Sequence, residues 1–75
     1  MNEELREKLL SSQKNEITEH FIYKKLAEIT KNERNRKVLN KIAEDEDVHY
    51  QYLKKLTPQE VKPDNWLSLP ELLQV

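Results

Sequence analysis

Cysteine is absent from this chain, which removes disulfide staples and thiolate metal sites from consideration. Glycine is absent too, and proline occurs three times in 75 residues. So few breakers fit long helices and argue against a strand-rich or loop-rich fold. Neither sign of charge is in excess: 13 basic residues face 14 acidic ones, for a net charge of −1. That balance leaves no basic footprint for nucleic acid and no polybasic signal for a membrane surface. No apolar run approaches the length of a membrane span, and the polar start Met1-Asn2-Glu3-Glu4 does not read as a signal peptide. The expected compartment is the cytoplasm. A chain this short buries a modest core, so a supplement to its stability is expected. With disulfides excluded, metal binding or oligomerisation remains.

What is present is helical. Asn2 is a candidate N-cap, and Glu3 and Glu4 suit the positive end of a helix starting there. Nothing interrupts helix from Glu3 to about Thr30. The stretch from Thr30 to Arg36 has no apolar residue and reads as the connection, with Asn32 as the candidate cap of a second helix running to about Leu56. In Thr57-Pro58-Gln59-Glu60 the pattern is that of a capping box with proline at the first helical position, which predicts one further short turn of helix. Lys62 to Asn65 then reads as a loop, because the residue before Pro63 is pushed away from helix. The tail from Trp66 to Val75 concentrates Trp66, Leu67, Leu69, Leu72 and Leu73, with a short helix expected around Pro70.

Each long helix carries a stripe with polar residues at its centre. In the second it runs Leu39, Ile42, Glu46, His49, Leu53, Leu56. This 3-4 alternation is that of a helix burying one seam. A carboxylate and an imidazole sit mid-stripe, where a charged group needs a hydrogen-bond network, an opposite charge or a metal. In the first helix the stripe reads Leu9, Ser12, Glu16, Glu19, Tyr23, Leu26, Thr30, flanked by Leu10, Ile17 and Phe21 on one side and by Ile22 and Ile29 on the other. An apolar arc this wide exceeds what one hairpin partner covers, so further helices from a second chain are expected. Folded as an antiparallel hairpin, Glu16 and Glu46 fall at similar depth. One chain then offers a Glu from one helix and a Glu-x-x-His from the other. That is half of the set in carboxylate-bridged di-iron bundles, and two copies supply all of it.

The combination of Asn15-Glu16, Tyr23 seven residues on, and Glu46-Asp47-Val48-His49 thirty after Glu16 resembles the ferritin-like superfamily. Within it the chain is most similar to minimal two-helix, rubrerythrin-type members: encapsulated ferritins and the rubrerythrin-like domain of vacuolar iron transporter relatives. The resemblance spans about residues 10 to 57. It implies an all-α fold, an antiparallel two-helix hairpin that dimerises into a ferritin-like four-helix bundle with a short C-terminal extension. Residues 1–57 would be the half-bundle, and residues 58–75 a turn and apolar tail. It also implies Glu16, Glu46 and His49 as metal ligands, Glu19 as an additional carboxylate, and Tyr23 as a phenol near the metals with a catalytic part. The rubredoxin segment of full rubrerythrins is missing, so its electron relay is not implied.

The implied cofactor is di-iron, although manganese or zinc would bind the same donors. The implied function is ferroxidase-like or peroxide-reducing chemistry in iron storage or detoxification, carried out by a homo-oligomer of at least two chains. Two alternatives stand beside it. A metal-free helical hairpin could dimerise as an interaction module, with Glu46 and His49 setting its register. The chain could also be the cytosolic iron-binding domain of a larger iron transporter. His20, one turn from Glu16, forms a rival metal pair with it. Glu44, Asp45 and Asp47 read mainly as a solvated acidic face, Tyr50 and Tyr52 as packing or surface residues. The tail leucines read as a packing arm against the dimer or as a docking peptide for another protein.

Overall fold

The computed structural model describes residues 1–64, and the expectations for the tail from Trp66 onward lie outside them. Two helices make up the described chain: α1 (Glu3–Ile29) and α2 (Glu33–Leu56). Asn2 caps α1, its side-chain oxygen accepting the Leu5 N–H at 2.7 Å, with Glu3 and Glu4 in the first turn. Asn32 caps α2 by accepting the Asn35 N–H at 2.9 Å. The connection is therefore only Thr30 to Asn32, shorter than the sequence suggested. Residues 33–36 are charged or polar, yet a first turn needs a cap rather than an apolar face, and Asn32 supplies it. The Thr30 hydroxyl closes α1 by donating to the Leu26 carbonyl at 2.6 Å.

The helices run antiparallel, as cross-helix contacts show: Gln13 meets Thr57, Glu16 meets His49, and His20 meets Ala43. The surface between them is not the one that the aliphatic stripes suggested. Its buried residues are Gln13 and Ala27 from α1 and Ala43, Tyr50 and Thr57 from α2 and its cap. The two alanines, each 2% exposed, let the backbones approach. Gln13 and Thr57 in this seam pair with each other, and among the described residues no buried side-chain nitrogen or oxygen is left without a partner. The stripe around Glu16 and the stripe around Glu46 each lie about a quarter turn away, and both fall on the same side of the hairpin. They form an open face whose members are half-buried or exposed, with Leu5 47% and Leu56 42% exposed.

The opposite side is closed by the segment after α2. The short helical turn expected from Thr57-Pro58-Gln59-Glu60 is not formed. A capping box would need the Thr57 hydroxyl to serve the Glu60 N–H. That hydroxyl instead donates to Gln13 Oε1, and Glu60 pairs with Lys54 at 3.2 Å. Residues 57–64 run as an irregular strap across α1. Gln13 Nε2 donates to the Gln59 carbonyl at 2.8 Å, and Arg6 donates to the Gln59 side chain. The Tyr50 hydroxyl donates to the Val61 carbonyl (3.2 Å) and accepts the Val61 N–H (3.0 Å). The Asp64 N–H reaches the Thr18 hydroxyl at 2.7 Å. Thr18 and Lys14, which pairs with Asp64, are each two residues from Glu16 and so point away from it. The strap therefore seals the face that carries no carboxylate pair.

Packing of the inner seam sets the stability of the hairpin. Ala43→Leu, forcing bulk between the helices, is expected to lower the unfolding free energy by about 1–3 kcal/mol in urea titrations. Lys37→Ala, which removes an exposed pair with Glu33, is expected to change it by less than about 1 kcal/mol.

Candidate metal centre

Three side chains converge on the open face. Glu16 comes from the middle of α1, and Glu46 and His49 from successive turns of α2. Each offers an atom within 4.8 Å of the others. His49 Nδ1 lies 3.1 Å from Glu16 Oε2 and 3.7 Å from Glu46 Oε1, so one ring nitrogen faces both carboxylates. The Glu46 side chain is 14% exposed, Glu16 24% and His49 58%. The site is thus floored by carboxylates and roofed by an imidazole that borders solvent on the open face.

Among the described residues, no lysine or arginine pairs with Glu16 or Glu46; every such cation in an ion pair is matched to another acid. Two half-buried carboxylates repel each other and lose hydration. A single imidazole N–H can serve only one of them well. The donor set is therefore short of positive charge, which a proton or a cation would supply.

Glu19, one turn after Glu16, lies outside this three-residue group but against Glu46. Its pKa is raised from the ordinary carboxylate value, first by a hydrogen bond shared with the Glu46 carboxyl, then by burial, then by repulsion from Glu46. Tyr23 is half-buried one further turn along α1, and among the described residues its phenol has no hydrogen-bond partner. His20 does not join Glu16. Its Nδ1 lies 2.7 Å from the Ala43 carbonyl, inside the seam between the helices. Nor does the acidic run on α2 converge: Asp45 pairs with Lys41 at 3.0 Å, and Asp47 accepts from Gln51 at 3.5 Å. Tyr52 is exposed, whereas Tyr50 is buried in the seam.

The sequence reading passes over Gln13 and takes Thr57 as a helix cap rather than as the buried partner of Gln13. A polar residue one turn from Glu16 looks like surface. The signal available was its place in the row Gln13, Ile17, His20, Ala27, whose spacing is as helical as that of the aliphatic stripe.

A family model described as rubrerythrin matches residues 7–69, more than half of the chain. The chain belongs to the rubrerythrin family. Rubrerythrins are iron-binding, and the Glu and His cluster of this member is of the kind that holds a metal. No curated protein and no solved structure matches the chain. Among the described residues, no helix is long and apolar enough to cross a membrane.

The raised pKa of Glu19 gives a test of the local electrostatics. A carboxyl whose folded pKa lies above its unfolded value adds stability at low pH, and that contribution is lost as pH rises through the raised value. In chelator-treated protein, Glu19→Gln is therefore expected to stabilise the fold at pH 7 and to have little effect at pH 4. Thermal melts of both proteins at the two pH values check it.

Proposed function

We propose that this rubrerythrin-family chain is a di-iron protein whose centre is completed between two copies. The observation that carries the reading is the convergence of Glu16, Glu46 and His49 on an open face, where, among the described residues, no lysine or arginine pairs with the carboxylates. Oxygen and imidazole donors without thiolate suit iron or manganese, and zinc also binds them. One hairpin supplies two carboxylates and one imidazole, and a four-helix di-iron bundle uses twice that number. Leu9, Leu26, Leu39, Ile42 and Leu53 surround the cluster and are only half-buried. A second hairpin laid on this face would cover them and bring its own three donors to the first set.

In this arrangement Glu16, Glu46 and His49 would hold the metal, and Glu19 would hold or release a proton beside Glu46. Iron held by these residues would supply redox chemistry toward oxygen or peroxide, of a ferroxidase-like or peroxide-reducing kind, with a purpose in iron storage or detoxification. Tyr23, with a free phenol on the same stripe, is placed to donate a hydrogen bond to a small ligand at the centre. The strap, residues 57–64, leaves the open face clear.

The rival reading is a metal-free hairpin dimer whose register is set by Glu46 and His49. Chelation separates the two. A metal linked to the folded dimer adds stability by mass action, so removing it lowers the melting midpoint; a pure packing module melts unchanged. Iron per chain and the initial rate of Fe(II) oxidation are to be measured with the mass in solution. The expected result is a dimer or larger assembly, with iron uptake and oxidation lost in Glu46→Ala and His49→Ala. A wild-type chain that takes up no metal, or variants that match it, would remove the di-iron reading.

A further inference from the structure

Glu16 meets His49 only while α1 and α2 keep one register. A slip of one residue turns the slipping helix by about 100° relative to its partner and parts the two side chains. The contact cannot set that register alone, because His49 is more than half exposed and such pairs contribute little. Two polar ties in the buried seam bracket it.

One turn before Glu16 stands Gln13, fully buried, with both ends of its amide engaged. Its oxygen accepts from the buried Thr57 hydroxyl, and its nitrogen donates to the Gln59 carbonyl. One turn after Glu16 stands His20, with Nδ1 2.7 Å from the carbonyl of Ala43, itself one turn before Glu46. A carbonyl only accepts, so this ring nitrogen carries the proton and donates. The Ala43 oxygen has two lone pairs, one for the ladder of α2 and one for His20. Any other register breaks both ties and leaves the buried Gln13 amide and Thr57 hydroxyl unpaired.

We propose that His20 and the Gln13–Thr57 pair are positioning residues of the metal centre, which hold Glu16 in register with Glu46 and His49. His20 acts through the α2 backbone, and Gln13 and Thr57 act through the join between α1 and the strap; none of the three touches the metal. The proposal rests on the di-iron reading above. Residues that orient metal ligands from outside typically govern affinity by about 10–100-fold.

The test titrates Co(II) into the full chain by calorimetry and follows the visible ligand-field spectrum. His20→Leu and Thr57→Val remove the donors. His20→Asn keeps an N–H near the Nδ1 position, and Thr57→Ser keeps the hydroxyl. Leu10→Ala, at a half-buried position on the strap side of α1, is the control for general destabilisation. The expected result is a Co(II) affinity lowered about 10–100-fold, with an altered spectrum, in the first two variants. The conservative pair and Leu10→Ala should keep the wild-type affinity and spectrum, whatever the melting midpoint of the control. Wild-type affinity in both His20→Leu and Thr57→Val overturns the proposal, and so does an equal loss in Leu10→Ala. Should His20→Leu not fold, the Thr57 pair decides.

A wild-type chain that binds no Co(II) counts against the metal reading instead. Register is then read without metal, from nuclear Overhauser contacts between the His49 ring and α1 around Glu16. These persist in Thr57→Ser and vanish in Thr57→Val if the proposal holds, and they are unchanged in both if it fails.

Discussion

Two carboxylates from different helices, brought together partly out of water and, among the described residues, paired with no lysine or arginine, are the constraint on which the rest of this structure depends. Repulsion and lost hydration oppose the arrangement. A hairpin built for packing alone would place leucines at positions 16 and 46 and would gain by it. The fold holds the pair in place through the buried polar contacts on either side, and it leaves the charge deficit on a face that remains open. The imidazole of His49 and the carboxyl of Glu19 respond to that deficit, one by facing both acids and the other by a raised pKa.

The two faces of the hairpin have different fates. The strap from Thr57 to Asp64 closes one with hydrogen bonds to Gln13, Thr18 and Tyr50. Its backbone is neither helix nor strand, and these side chains make the bonds that tie it to the hairpin. The other face keeps its leucines and isoleucines half-exposed around the carboxylates. Two helices alone offer no way to bury such a face. Stability and a completed centre therefore call for the same remedy, another helical layer, which is why metal binding and association are coupled in the proposed function.

Much of this was legible in the residues. Asn2 and Asn32 cap where a side-chain oxygen precedes a run of helix formers, so the two helices follow from local chemistry. Glu16, Glu46 and His49 stood out because charge interrupts an aliphatic row at matching depth in both helices. The seam was misassigned for a physical reason. Hydropathy marks the positions that some apolar surface must cover, whichever chain provides it. It does not mark the small and polar residues through which two helices of one chain approach. Ala27, Ala43, Gln13 and Thr57 carry that approach, and their individual hydrophobicity is low. The capping-box pattern at Thr57 failed for a related reason: the hydroxyl found a buried partner 44 residues away in Gln13, and a long-range bond prevailed over a local one.

The sequence by itself determined that the chain is helical, that it has two long helices, and that Glu16, Glu46 and His49 belong to one depth of a hairpin. Periodicity and capping act within a few residues, and the chain states them directly. Only the tertiary structure decided which quarter of each helix faces its neighbour, that His20 bonds a backbone carbonyl and not Glu16, and that the chain after α2 seals the side away from the carboxylates. Those outcomes hang on pairings between Gln13 and Thr57, His20 and Ala43, and Tyr50 and Val61. Each joins groups that no local pattern connects, and each is fixed by the requirement that buried polar atoms be satisfied.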